Sequence, residues 1–349
     1  MFGRPSQAWS CLFLALVALI LVVRLGPWNV SLEIRGSDSS CRACQNATLG
    51  LSNIHLLTHL LQFEKIVAVS AGASWRTDGL YEAADRTGLE IITPFQPEWT
   101  DPEVDSFRKV GVEDHKFQMG PGQARCWLGH LNAFREIIAN GWSTALVMED
   151  DNDWDIMIKE QMSLVAPMIR QLSNDSNLGS RSPYGDSWDL LWLGHCGDVK
   201  PTAGSDPLVS RMDETLPDSP LYRQMYGDYT YYPPQLRLAH WTIRPGCTYA
   251  YAITSAAAQA IYQTGQEGMN EIVTVELRWW CTKGGLKCIT VTPELFHHHK
   301  KAGEVASEIA VLEGWSELAA PPKVGYTANI KYSARCNSQS KTLVSCQQE

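Results

Sequence analysis

Residues 65–93 constrain this chain more than any other stretch. "KIVAVS" (Lys65–Ser70) is a short apolar run rich in Val and Ile and reads as a buried strand. The Gly-containing turn "AGASWRTD" leads into "DGLYEAADRTG", a helix ending at Gly88, and "LEIIT" follows as a second strand. Strand, helix and strand at this spacing form a βαβ unit, which predicts parallel strands joined by a right-handed crossover. The alternation continues. After a polar, Pro-rich loop from Pro94 to Pro121, "GQARCWLGHLNAFREIIANG" has helical spacing and closes at Asn140-Gly141. "TALVM" is the next strand, "IMIKEQMSLVAPMIRQL" a helix with a bend expected at Pro167, and "WDLLWLG" a strand. "CTYAYAIT" alternates as a strand, "SAAAQAIYQTG" and "EIVTVELRWWCTKGG" read as helices, and "LKCITVT" as a final strand. Gly194 to Gln235, with six prolines, reads as one long functional loop. The fold class predicted is α/β, a mostly parallel central sheet flanked by helices.

The first 24 residues carry a different signal. Cys11 to Val23 is wholly apolar and Arg4 and Arg24 bracket it, slightly short of the ~20 residues expected of a spanning helix. No small-residue cleavage site follows "LVVRLG", so a signal anchor is favoured over a cleaved signal peptide. Arg4 then favours a cytosolic N-terminus and a lumenal body, a type II arrangement. Three sequons, at Asn29, Asn46 and Asn174, agree with that side of the membrane. So do ten cysteines, some of which should pair in an oxidising lumen. Cys41-x-x-Cys44 has zinc or redox spacing, with a disulfide as the alternative, and Cys336 and Cys346 could close a small loop. The organisation expected is tail and anchor 1–24, stem 25–63, catalytic domain 64–333 and C-terminal tail 334–349. A formal net charge of −9 argues against nucleic acid as a partner.

Chemistry concentrates after "TALVM", where five carboxylates occupy the seven positions from Glu149 to Asp155. Ligands of parallel α/β sheets gather at the carboxyl ends of strands, where Glu149, Asp150 and Asp151 stand. Close carboxylates repel unless a proton or a cation separates them. A divalent cation, Mn²⁺ or Mg²⁺, is the economical answer, because hard oxygen ligands suit it. Such an ion neutralises charge building on a diphosphate leaving group. A solvated turn is the competing reading. Asp153 and Asp155 read as helix-start carboxylates favoured by the macrodipole.

Five pieces in this order and spacing carry a resemblance: "KIVAVS…WRTD", "GQARCWLGHLNAFREII" leading to "ALVMEDDNDWD", "WDLLWLGHCGD", "CTYAYAIT", and "TPELFHHHKKAGEVASEI". From about Lys65 to Glu308 the chain resembles glycosyltransferase family 25, the group of lipooligosaccharide and collagen galactosyltransferases, and its fungal members in particular. The resemblance implies a GT-A type fold, a nucleotide-sugar donor and an inverting, metal-dependent transfer to a glycan or glycoprotein hydroxyl. UDP-galactose is the first donor to consider, and the Golgi or ER membrane the compartment. Carried over, it makes Asp151 the main metal ligand, with Glu149 and Asp150 helping to hold metal and ribose. It sets Arg76 and Asp78 near the nucleotide base and ribose, with a helix-start ion pair as the competing reading for both. Gly129-His130 stands where the family often has Ser-His; His130 is either a substrate contact or a packed core histidine. The late histidines His297 and His299, which share a face in an extended segment, become metal ligands, and His195 a further candidate for the pocket. Inversion needs a general base for the acceptor hydroxyl. The family tends to place an acid before the segment that here reads "LRWWC", but this chain has Thr274 there, flanked by Glu271 and Glu276. Glu276 is the first choice as base and Glu271 the second. That departure keeps two other classes open, an inactive binding relative and a nucleotide-sugar hydrolase.

Overall fold

The computed structural model describes residues 61–346 apart from 109–117, 178, 200, 203, 205, 219–234, 306, 308 and 310–319. The expected anchor and the expected stem up to residue 60, with Cys41, Cys44 and the sequons at Asn29 and Asn46, lie outside the described residues, while Leu61 and Phe63, also expected in the stem, are buried in the core. Among the described residues no helix is long and apolar enough to cross a membrane.

The predicted opening unit forms as β1 (Lys65–Val69), α1 (Trp75–Thr87) and β2 (Ile91–Ile92). Ser74 caps α1, its side chain accepting from the Arg76 main-chain N–H, and Gly88 ends it at φ 61°, a conformation that suits glycine. Next come α2 (Asp101–Phe107), inside the expected Pro-rich loop, α3 (Pro121–Asn140) and β3 (Thr144–Glu149). β4 (Asn152–Trp154), α4 (Ile158–Leu172), β5 (Leu190–Gly194), β6 (Leu208–Met212), β7 (Leu236–Trp241) and β8 (Ala250–Thr254) follow. The described chain closes with α5 (Ser255–Gly265), α6 (Val273–Thr282), β9 (Cys288–Thr292), β10 (Phe296–Lys300) and β11 (Tyr326–Thr327). α4 runs through Pro167 without ending there.

The class is α/β, but the sheet is mixed, which corrects the expectation of a mostly parallel one. Along the order β2-β1-β3-β8-β5-β9-β7-β6, only β2/β1, β1/β3 and β5/β9 are parallel. β8 runs antiparallel between β3 and β5, and β7 and β6 alternate at the far edge. The physical reason is that an apolar run has the same period whichever way it points. A second correction concerns the long loop from Gly194, which contains β6, paired with β7.

Alternation along the strands separates two cores. Ile66, Ala68, Leu146, Met148, Leu191 and Ala252 face α1 and α4. Val67, Ala145, Val147, Trp192, Tyr251 and Ile253 face α3, α5 and α6. A sheet buried on both faces gives near-continuous apolar strands, which is how "TALVM" and "LLWL" read. Three disulfides, Cys196–Cys247, Cys281–Cys288 and Cys336–Cys346, form among the described residues. The last closes the expected tail loop.

Candidate functional site

β1 and β3 lie side by side and parallel, so their carboxyl ends, Ser70 and Glu149–Asp151, meet at one edge of the sheet. The Ser70 hydroxyl donates to Asp150 Oδ2 at 2.6 Å. From that bond a cavity of about 420 Å³ opens along the end of β1. Ser70, Gly72, Thr77, Asp78, Thr93 and Phe95 are among the residues that line it. Phe95 is 83% exposed at its rim, an aromatic face available for stacking.

On the other side of Ser70 is the acidic turn. Glu149 Oε1 accepts from the Thr248 hydroxyl (2.9 Å), and its main-chain N–H donates to the Tyr249 carbonyl (3.0 Å). Burial, and then the Asp151 charge, push the Glu149 carboxyl up to about 8. Asp151 is also buried and raised, burial outweighing the opposing pull of Arg76, Lys300 and Arg335. Its Oδ1 is shut from solvent with no hydrogen-bond partner among the described residues. An unsatisfied buried carboxylate oxygen is uncommon, because such an atom ordinarily costs stability.

These donors fit a hard divalent cation. Glu149 and Asp151 offer carboxylate oxygens, one of them without a protein partner, and both are disfavoured as bare anions. Among the described residues no group of three or more His, Cys, Asp or Glu is set out as a metal site. The remaining ligands of an ion here would come from water or from a bound substrate, as is usual for magnesium.

The other predicted residues are distributed unevenly. Arg76 is buried on the first turn of α1, and its charge favours the ionised forms of Glu149 and Asp151. Asp78 is exposed on the cavity wall. His297 and His299 both lie on β10, opposite the acidic segment. His297 Nε2 is 3.8 Å from Glu294 Oε1, while His299 Nδ1 is 2.8 Å from the Thr327 hydroxyl and 3.8 Å from Asp153. Burial pulls both imidazoles down to about 4, so they are neutral at physiological pH. His298, on the opposite face, lies 3.4 Å from the Lys300 ammonium and stacks obliquely on Tyr249 at 4.5 Å. Glu271 precedes α6, its carbonyl accepting from Trp127 Nε1 (2.9 Å), and Glu276 stands in the first turn of α6, whose Val273 and Leu277 are buried in the core shared with α3.

Two of the candidate histidines, His130 and His195, are core residues. His130 is fully buried with Nδ1 2.8 Å from the Tyr251 hydroxyl. His195 is buried too, with Nε2 2.9 Å from the Val291 carbonyl and Nδ1 accepting from the Gly197 N–H. Gly129 has a packing reason: a Cβ there would come within 2.7 Å of Val69 Cγ1, where α3 crosses β1. Asp153 and Asp155 depart from the helix-start reading. Asp153 lies within β4, fully buried, and accepts from the Thr327 and Ser333 hydroxyls and from the Trp154 and Arg335 main-chain N–H groups. Asp155 does accept from the Met157 N–H just before α4, but also from the Tyr332 N–H.

Several site residues had escaped the sequence reading. Ser70 ends an apolar strand, and the strand-end rule that found Glu149 would have found it. Thr248 and Tyr249 sit at the amino end of β8, visible only once that strand is known to run antiparallel. Arg335 arrives from the far end of the chain, with no local signal. Cys126 on α3 is the free thiol among the described residues; burial and then the three acids raise it, so it is held as a neutral thiol. No protein-family model matches the chain, and no curated sequence matches it.

Proposed function

We propose that this protein is a metal-dependent glycosyltransferase that moves a sugar from a UDP-sugar to a glycan or glycoprotein hydroxyl. One observation carries the reading. A cavity of about 420 Å³ adjoins a half-buried acidic turn through the Ser70–Asp150 hydrogen bond, so one ligand can place a nucleoside in the first and a diphosphate at the second. The family 25 resemblance points the same way, and the three disulfides suit an oxidising lumen.

In this reading Phe95 stacks on the base and Asp78 accepts from the ribose. Asp151 and Glu149 hold Mn²⁺ or Mg²⁺, which when bound supplies Lewis-acid stabilisation of the departing diphosphate. Arg76 and Lys300, whose charges both act on this turn, offset the remaining negative charge. Neutral His298 and Tyr249 wall the turn and exclude water beside it. Glu276, or Glu271 in its place, takes the proton of the attacking hydroxyl.

The purified protein, incubated with a panel of UDP-sugars and Mn²⁺, should release UDP slowly alone and faster with the right acceptor. UDP binding without turnover would instead favour an inactive binding protein, and turnover indifferent to every acceptor a hydrolase. Glu276→Gln should spare UDP binding and cut transfer by roughly 10²-fold; full transfer in that variant moves the base to Glu271.

A further inference from the structure

We infer that Arg335 is the positioning residue of the acidic turn, bridging the carbonyls on either side of Asp151 so that the Asp151 oxygen left unsatisfied among the described residues is held in a fixed direction. The inference rests on the donor-site reading above for its purpose, but its geometry stands alone. Arg335 Nη2 donates to the Asp150 carbonyl (2.6 Å) and Nε to the Asn152 carbonyl (2.7 Å). Between them the Asp151 carbonyl accepts from the His299 N–H (2.8 Å). Three successive carbonyls are therefore tied, while Asp151 Oδ1, at the centre, has no partner. A turn with satisfied main chain and one open, buried carboxylate oxygen is built to present that oxygen to something else.

The guanidinium is matched to this task. Its planar fork satisfies two acceptors on one edge, which a single ammonium cannot do with the same geometry. Space for it is provided by Gly79 on α1, where a Cβ would come within 2.4 Å of Arg335 Nη1. Its own backbone is anchored to the same acidic segment. The Arg335 N–H donates to Asp153 Oδ1 (3.1 Å), the Ala334 N–H to the Trp154 carbonyl (2.7 Å), and the Tyr332 N–H to Asp155 (2.8 Å). The following residues are closed by Cys336–Cys346 and by Asn337, which bonds Ser333 and Val344. The last residues of the chain thus complete a site nearly two hundred positions earlier.

The test uses the full chain with Arg335→Gln, Arg335→Lys and Gly79→Ala, read against Asn337→Ala, which loosens the same hook without touching the guanidinium. Two readouts are taken besides melting: affinity for Mn²⁺ in the presence of UDP, and amide exchange across residues 147–155 without ligand. The first three variants should weaken Mn²⁺ by about 10–100-fold, the usual scale for losing an outer partner of a ligand. They should also speed exchange by at least ~10-fold. Asn337→Ala should lower the melting temperature and move neither. Wild-type affinity and exchange in Arg335→Gln overturn the inference. So does an equal loss of affinity in Asn337→Ala at equal melting temperature, which would mean general loosening. If Arg335→Gln fails to fold, Gly79→Ala, which keeps the charge, decides. Should the wild-type protein bind neither Mn²⁺ nor UDP, the donor reading fails, and the exchange data alone decide for or against Arg335.

Discussion

Asp151 and Asp153 stand two residues apart in one run of acids, and the fold treats them in opposite ways. Asp153 is fully buried, and hydroxyls and main-chain N–H groups saturate its two oxygens. Asp151 is nearly as buried but keeps an oxygen with no partner, and its carboxyl is raised. Buried charge is tolerated when hydrogen bonds replace the lost water, and Asp151, which lacks one, is the aspartate the proposed function assigns to a ligand. The difference separates a carboxylate whose bonds hold the chain together from one that the structure leaves partly unsatisfied. Composition could not do so, because both are the same letter in the same cluster.

The sharpest way to break this comparison is to remove each in turn. Asp153→Ala strands two hydroxyls and two main-chain donors in the core and should cost about 3–5 kcal/mol in denaturant unfolding. A cost below 1 kcal/mol would show that those bonds do not matter. Asp151→Ala should leave stability within about 1 kcal/mol of wild type, since it removes a carboxylate that is poorly satisfied. It should nonetheless weaken Mn²⁺-dependent UDP binding by about 100-fold or more, measured by calorimetry. Unchanged affinity would take Asp151 out of the site.

A smaller effect sharpens the same contrast through pH. Glu149 is raised to about 8, so the folded chain holds a proton that the unfolded chain, with a carboxyl near 4.5, gives up. Stability then falls as pH rises between those values. Glu294, raised to about 7 by burial, acts in the same direction below that pH. The buried histidines, lowered to about 4, act oppositely, adding stability as pH rises to 6.5. From pH 7 to 8 the carboxylate effect dominates and should cost ~1 kcal/mol, or about 2–4 °C of melting temperature. Glu149→Gln should flatten that decline, and so should saturating Mn²⁺, which favours the ionised carboxylate. A decline unaltered in Glu149→Gln would assign it elsewhere.

Much of this was legible in advance for identifiable reasons. The βαβ opening, the helix over 121–140 and the strand before Glu149 follow from periodicity and end signals. "LKCITVT" forms β9 but is not the final strand: β10, through His297–His299, and β11 follow it, because a polar, His-rich run carries no apolar strand signal. Strand direction was not legible, so β8 between β3 and β5, and with it Thr248 and Tyr249, came only with the fold. Which face of β10 meets which neighbour depends on pairing to β4, and this is why His297 and His299 turn to Glu294 and Asp153 while His298 and Lys300 stand on the other face. Arg335 shows the limit most clearly: no local pattern relates residue 335 to residue 151.

In the proposed function the Glu149–Asp151 turn holds a cation and the cation holds a sugar diphosphate. UDP titrated into the purified full chain, once with Mn²⁺ and once with a chelator, tests it most directly. UDP should bind with Mn²⁺, and its binding should weaken by at least about 10-fold in chelator. Equal affinity in both solutions, in wild type and in Asp151→Ala alike, would contradict it.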